Sequence, residues 1–260
     1  MTTRLEILGC NATAPGATGA ASSYLLHGPR GTVLVDAGPG SLLAYARTHD
    51  LADLSAIVVT HLHADHSLDL MAWAYRWTFP HVLPPIPLLV PAEELGRLRA
   101  FDDLFGIPTL PTMRTPIQSA FDVVSMDLDA GTPLDLAGWS LTPRRVHHAV
   151  PSAGLRLEGN GVTVAFSSDT GPCDALVETA RGADLFVCES TYLAAGEDAI
   201  HGHGHLTPEL AAGIAGEAGA GHLLLTHFAD PAEAEQMGRV AAGLFAGPVT
   251  VAREGLVHQL

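Results

Sequence analysis

The sequence predicts an α/β fold, and three observations carry that expectation. Short apolar strands alternate with helical patterns along the chain, turn signals separate them, and 47% of the 260 residues are hydrophobic against only 16% charged. The expected strands are Leu5–Leu8, Ser23–Leu26, Thr32–Val35, Ala56–Thr60, Leu88–Val90, Leu141–Val146, Val162–Ser167, Leu185–Cys188, His222–Thr226 and Val249–Ala252. Helical spacing marks Ser41–Thr48, Asp69–Thr78, Ala92–Phe101, Asp174–Ala180, Pro208–Ala218 and Ala232–Phe245, several of them opened by Ser, Asp, Thr or Pro and closed by Gly. The composition is too apolar for disorder, and one domain spanning 1–260 is expected.

The segment from Pro80 to Pro116 interrupts this alternation with eight prolines. Its interleaved Ile86, Leu88, Leu89, Val90, Phe101, Leu104, Phe105 and Ile107 are too apolar for a linker, so an ordered cap or a homodimer surface is expected there.

Charge narrows the partners. The formal net charge is -15, all 13 basic residues are arginine, and Arg144 and Arg145 are the one adjacent basic pair. Phosphate neutralisation drives non-specific nucleic-acid affinity, so this balance disfavours a nucleic-acid partner and favours a small-molecule substrate. The three cysteines, Cys10, Cys173 and Cys188, are odd in number and widely spaced, as expected of free thiols in a reducing compartment. Met1 to Cys10 reads as a strand rather than a signal peptide, and no apolar run approaches the ~20 residues needed to span a bilayer. A cytoplasmic location is expected.

The chemistry starts directly after the strand Ala56–Thr60, where His61-Leu62-His63-Ala64-Asp65-His66 places four metal-capable side chains in six positions. In an extended loop His61 and His63 point the same way, while Asp65 and His66 turn toward a second point. This pattern resembles the metallo-β-lactamase superfamily of dinuclear metallohydrolases. The resemblance implies an αββα sandwich, two mixed β-sheets flanked by helices, with three further ligands at strand ends. His148 follows Leu141–Val146, Asp169 follows Val162–Ser167, and His227 follows His222–Thr226, all in the implied order. His147 competes with His148, because strand alternation puts only one of the two on the site face; the resemblance favours His148.

The expected assignment gives His61, His63 and His148 to one metal, Asp65, His66 and His227 to the other, and Asp169 to both. Asp65 also counts among the catalytic residues. Five imidazoles and two carboxylates without a thiolate suit two divalent ions, with zinc first and manganese or iron as alternatives. Two such ions share a water, hold it as hydroxide near neutral pH and stabilise attacking and leaving oxygens, which is hydrolytic chemistry.

The second half resembles the ribonuclease Z-like phosphodiesterases in Ser168-Asp169-Thr170, Glu189-Ser190-Thr191-Tyr192, Gly204-His205-Leu206-Thr207 and Leu225-Thr226-His227-Phe228. That resemblance implies a catalytic His205 that serves the phosphate or leaving group, supported by Glu189. Thr207 with Pro208 reads as a helix N-cap pair that needs no function, although it stands beside Glu189 in the same supporting shell. His201 and His203 read as a flexible glycine-histidine loop. His147, His27, His49, His81, His222 and His258 read as satisfied surface or core histidines.

Two features depart from ribonuclease Z. Only 20 residues lie between His148 and Asp169, which leaves no room for the long arm that grips transfer RNA, and the loop Gly9–Ser23 lacks basic residues. The shorter layout is similar to small actinobacterial cyclic-nucleotide phosphodiesterases. Trp73 and Trp77, one helical turn apart, read first as a core stripe; the sharper reading makes them, with Tyr192, a wall against the substrate. The expected function is therefore metal-dependent hydrolysis of a small phosphodiester such as a cyclic nucleotide. Hydrolysis of lactones, thioesters or β-lactams, in which Tyr192 assists an oxyanion, transfer-RNA 3′ processing, and non-catalytic metal binding are the alternatives.

Overall fold

A computed structural model describes residues 3–260, so Met1 and Thr2 of the expected first strand lie outside the described residues. In the first half, strands β1 (Arg4–Asn11), β2 (Ala20–Ala21), β3 (Ser23–Gly28), β4 (Gly31–Val35), β5 (Leu54–Val58), β6 (Ile86–Pro91) and β7 (Phe121–Met126) form one sheet. Strands β8 (Leu134–Leu136), β9 (Trp139–Arg145), β10 (Ala153–Gly159), β11 (Val162–Phe166), β12 (Leu185–Glu189), β13 (Leu223–Thr226) and β14 (Val249–Val251) form the other. The final β15 (Val257–Gln259) returns to pair with β1.

Both sheets are mixed. In the first, the order is β15-β1-β3-β4-β5-β6-β7, antiparallel as far as β4 and parallel from β4 to β7. In the second, β8 to β11 run antiparallel and β11 to β14 parallel. Parallel strands end at the same edge, and open α/β folds build their sites at that carboxyl edge.

The sheets pack face to face through Ile7, Leu26, Val33, Val35 and Val58 from one and Leu141, Leu155, Val164, Phe166 and Val187 from the other. Because side chains alternate along a strand, Leu34 and Ile57 face outward and meet Tyr45, Trp73 and Trp77. Those three belong to α1 (Ser41–Ala46) and α3 (Leu70–Thr78), which follow the four-residue α2 (Ala64–Ser67) in covering the first sheet together with α4 (Leu95–Phe105) and α5 (Pro116–Ala120). On the other side α6 (Asp174–Ala180), α7 (Pro208–Ala218) and α8 (Ala234–Ala242) pack small residues, Ala180, Ala211, Ala215 and Ala241, into the core. The architecture is two mixed sheets flanked by helices, as expected.

Several expectations need correction. Pro80 to Pro116 is no cap, because it supplies β6, an interior strand held between β5 and β7, and then α4. Leu88, Val90 and Leu98 are buried there against the first sheet, while Leu104 and Phe105 stay exposed. Strand β5 stops at Val58, before Thr60. Strands β2, β7, β8, β10 and β15 and helices α2 and α5 were outside the expected elements.

Candidate metal centre

Six strand ends converge on one edge. Asp36 follows β4, His61 and His63 follow β5, His148 follows β9, Asp169 follows β11, Thr191 follows β12 and His227 follows β13. Asp36, Ser168 and His227 hold left-handed backbone with φ of 62°, 56° and 61°. For residues other than glycine such conformations cost on the order of 1–3 kcal/mol each, and they gather where strands turn into functional sites. The loop is extended only as far as His63. From Ala64 the chain coils into α2, where the His66 amide donates to the His63 carbonyl, and this turn carries Asp65 and His66 toward a separate point.

The result is two groups of possible ligands that share one residue. Donor atoms of His61, His63, His148 and Asp169 lie within 4.8 Å of one another, and so do those of Asp65, His66, Asp169 and His227. Asp169 Oδ1 is 3.2 Å from His66 Nε2 and 3.3 Å from His227 Nε2. Its Oδ2 is 3.7 Å from His61 Nε2 and 4.0 Å from His148 Nε2. Each carboxylate oxygen thus faces one group.

Ring nitrogens also face one another. His61 Nε2 is 3.1 Å from His63 Nδ1, His148 Nε2 is 3.2 Å from the same Nδ1, and His66 Nε2 is 3.2 Å from His227 Nε2. One proton at most fits between the two nitrogens of each pair, so lone pairs converge on the same buried space. That donor set fits divalent cations.

Burial and charge divide the histidines. Burial pushes His61 and His63 down and brings His148 to about 4, which leaves these imidazoles neutral. Burial also opposes charge on His66, but Asp169 and Asp36 outweigh it and hold His66 well above the ordinary imidazole value. Asp169 is held well below the carboxylate range because His227 and His66 overcome its burial.

Around the donors stands a shell of hydrogen bonds that fixes each ring. His66 Nδ1 donates to Asp36 Oδ2 at 2.8 Å, and Asp36 is itself held by the amide and hydroxyl of Thr60. His148 Nδ1 donates to the Gly204 carbonyl at 3.0 Å. Gly204 has φ of 92°, and a Cβ there would meet the His147 carbonyl oxygen at 2.3 Å, so only glycine fits. His227 Nδ1 lies 2.8 Å from Thr191 Oγ1, and the Thr13 amide donates to Asp65 Oδ2 at 2.7 Å.

Glu189, fully buried, collects the Thr170 amide on Oε1 and the Leu206 amide and Thr191 hydroxyl on Oε2. Its Oε1 also lies 3.0 Å from His205 Nδ1. The His205 ring centre is 5.2 Å from that of His148 and 5.8 Å from that of His227. Tyr192 stands edge-on to His205 at 5.8 Å.

The structure brings all seven expected ligand residues together, along with His205, Glu189 and Tyr192. It places His148 in the cluster, whereas His147 turns away and bonds the His201 carbonyl. His203, on the single π-helical turn Asp198–His203, is exposed and lies parallel to His63 at 6.3 Å. Two expected roles fail, the substrate wall at Trp73 and Trp77 and the supporting role of Thr207. Trp73 and Trp77 are sealed in the outer core, their indole N–H groups donating to Ser41 Oγ and the Pro84 carbonyl, so neither faces a substrate. Thr207 occupies the N-cap position of α7 without a side-chain cap bond, and among the described residues its hydroxyl reaches no residue of the cluster.

Asp36, Thr191 and Thr13 were missed. Asp36 had a signal, a lone acid closing the apolar run Val33-Leu34-Val35; Thr13, bonding through its backbone, had none.

A family model described as a beta-lactamase superfamily domain matches residues 31–228. The chain belongs to the metallo-β-lactamase superfamily. Within it, the relatives place the chain on the ribonuclease Z-like branch, and like other members it is a metal-dependent hydrolase. An uncharacterized protein of Mycobacterium tuberculosis is 34% identical over 252 residues, covering 95% of this chain and 88% of that one. Ribonuclease Z of Thermobifida fusca is 30% identical over 301 residues, covering 98% of this chain and 94% of its own length. Since that alignment is longer than this chain, the ribonuclease carries segments absent here. Among solved structures, the metallo-β-lactamase fold protein YhfI from Bacillus subtilis superposes with a TM-score of 0.86 at 23% identity, covering 100% of both chains. Among the described residues no helix is long and apolar enough to cross a membrane.

Proposed function

We propose that the chain is a phosphodiesterase that hydrolyses small phosphodiesters, with cyclic nucleotides the leading substrates. The observation that carries this reading is Asp169, whose two oxygens each face a separate group of histidines. His61, His63 and His148 would hold one divalent ion and Asp65, His66 and His227 the other, with Asp169 contributing to both; zinc suits this set best. Two ions so placed supply Lewis acidity and a water activated near neutral pH.

The chain's own residues do the rest. Asp36 and Thr191 orient His66 and His227, so both rings present Nε2 to Asp169. His205 Nδ1 faces the Glu189 carboxylate; burial opposes a second proton on the ring, but the hydrogen bond and charge of Glu189, with the charge of Asp169, together outweigh it and raise its affinity for one. The imidazolium then gives the Nε2 proton to the departing alkoxide oxygen as the P–O bond breaks, and Glu189 balances the charge before transfer. Asp65, held by the Thr13 amide, would help to hold the second ion.

A small substrate is favoured over transfer RNA. The link between His148 and Asp169 is used by the β10–β11 hairpin, which leaves no arm. Arg145 of the adjacent basic pair is tied to Asp129 and Glu93, so it offers little to a phosphate backbone. A second reading, hydrolysis of lactones or thioesters with Tyr192 assisting an oxyanion, has in its favour that the Tyr192 ring stands edge-on to His205.

Parallel assays of the metal-reconstituted protein with a chromogenic phosphodiester and a chromogenic lactone separate the two. Turnover of the diester alone supports the proposal, and turnover of the lactone alone overturns it.

A further inference from the structure

Away from this centre a second set of imidazole and carboxylate groups converges. Glu6 on β1, His27 on β3 and His49 in the turn after α1 bring their donor atoms within 4.8 Å of one another. Glu6 Oε2 lies 3.3 Å from His27 Nε2 and 3.1 Å from His49 Nε2. The strand register explains the meeting. Glu6 pairs with Leu25, which packs in the outer core, and the two-residue period of β3 returns His27 to that same face.

Both rings are held in place. His27 Nδ1 is 3.2 Å from Thr32 Oγ1 across the β3–β4 pair, and the His49 ring packs on Tyr45 with centres 4.9 Å apart. Each therefore aims Nε2 at the same carboxylate oxygen. The side chains of Glu6, His27 and His49 are only 13%, 7% and 17% exposed.

The spacing fits a metal. Bonds of about 2.0–2.1 Å in a tetrahedral site put neighbouring donors roughly 3.3 Å apart, close to the two separations observed. The Thr32 hydroxyl serves either state of His27. It donates to Nδ1 when Nε2 carries the proton, and accepts from Nδ1 when the Nε2 lone pair is given to a cation.

We propose that Glu6, His27 and His49 form a structural zinc site, separate from the catalytic cluster, with its remaining position open to water. The two sites lie toward opposite ends of β4. Thr32, the second residue of that strand, lies beside His27, whereas Asp36, four residues and about 13 Å further on, binds His66. An ion here ties β1, β3 and the turn leading into β5, the strand that presents His61. His27 and His49, expected as merely satisfied histidines, become ligands. The proposal holds whichever substrate the catalytic site takes.

Zinc counting tests it without reference to turnover. Intact protein, Glu6→Gln and His49→Gln are saturated with zinc, freed of excess, and measured by elemental analysis and native mass spectrometry, with His147→Gln as control. The expected result is one zinc fewer per chain in Glu6→Gln and His49→Gln than in intact protein, and no loss in the control. Equal zinc in intact protein and His49→Gln overturns the proposal, because the remaining ions then belong to the catalytic cluster or to adventitious surface sites. His49 lies in a turn, so its variant decides the matter if Glu6→Gln fails to fold; circular dichroism checks both.

Discussion

Glu189 Oε1 accepts the Nδ1 hydrogen of His205 at 3.0 Å while its two oxygens also collect two backbone amides and the Thr191 hydroxyl. The carboxylate therefore fixes the ring that faces the metal cluster and favours its protonated form. If His205 delivers a proton to the leaving oxygen, the effect of removing it must depend on how much that oxygen needs one. His205→Ala should lower kcat about 10²-fold or more for a cyclic nucleotide, whose leaving group is an alkoxide, and far less for a nitrophenyl diester. Equal losses on both substrates would assign His205 to binding.

Asp36 touches no metal position, yet it orients His66 from behind. Outer partners of metal-bound histidines typically affect metal affinity by 10–100-fold. Asp36→Asn should weaken zinc retention by that order in a chelator competition, with the fold intact by circular dichroism.

The buried indoles make a prediction opposite to a substrate wall. Trp73→Ala should destabilise the protein by about 3–5 kcal/mol in urea unfolding, whereas KM of the folded enzyme should stay within about twofold.

A pH effect on stability is expected from His222 and His258, whose rings meet edge-on at 4.6 Å; His222 precedes β13, at the opposite end of that strand from His227. Burial depresses both below the ordinary value of 6.5, and in His222 the neighbouring His258 adds to it. The unfolded chain then binds more protons than the fold below pH 6.5, so stability is full above that pH and is lost as pH falls toward the folded values. In chelated protein, replacing both with Gln should flatten the acid side of a plot of Tm against pH.

The metal cluster was legible because its ligands follow apolar strands and four of them sit within six residues, so local pattern and spacing sufficed. What escaped was set by tertiary contact. Strand β7 buries only Phe121 and Met126 at its ends and exposes the residues between, so it lacks the alternation that marks a strand. Helix α2 is one turn long, too short for any period, although it is what sends Asp65 and His66 away from His61. The spacing of Trp73 and Trp77 showed one helical face but not which neighbour it meets; that depended on the outer face of β4 and β5.

An Asp169-centred pair of metal sites that hydrolyses a phosphodiester must release a phosphomonoester. Phosphorus NMR of zinc-reconstituted protein incubated separately with 2′,3′- and 3′,5′-cyclic nucleotides reads that bond cleavage directly, with Asp169→Ala as the control. Intact protein is expected to give a phosphomonoester signal with at least one isomer, and Asp169→Ala none. A protein that binds two ions yet leaves both isomers uncleaved, or an Asp169→Ala protein with undiminished turnover, would contradict this reading.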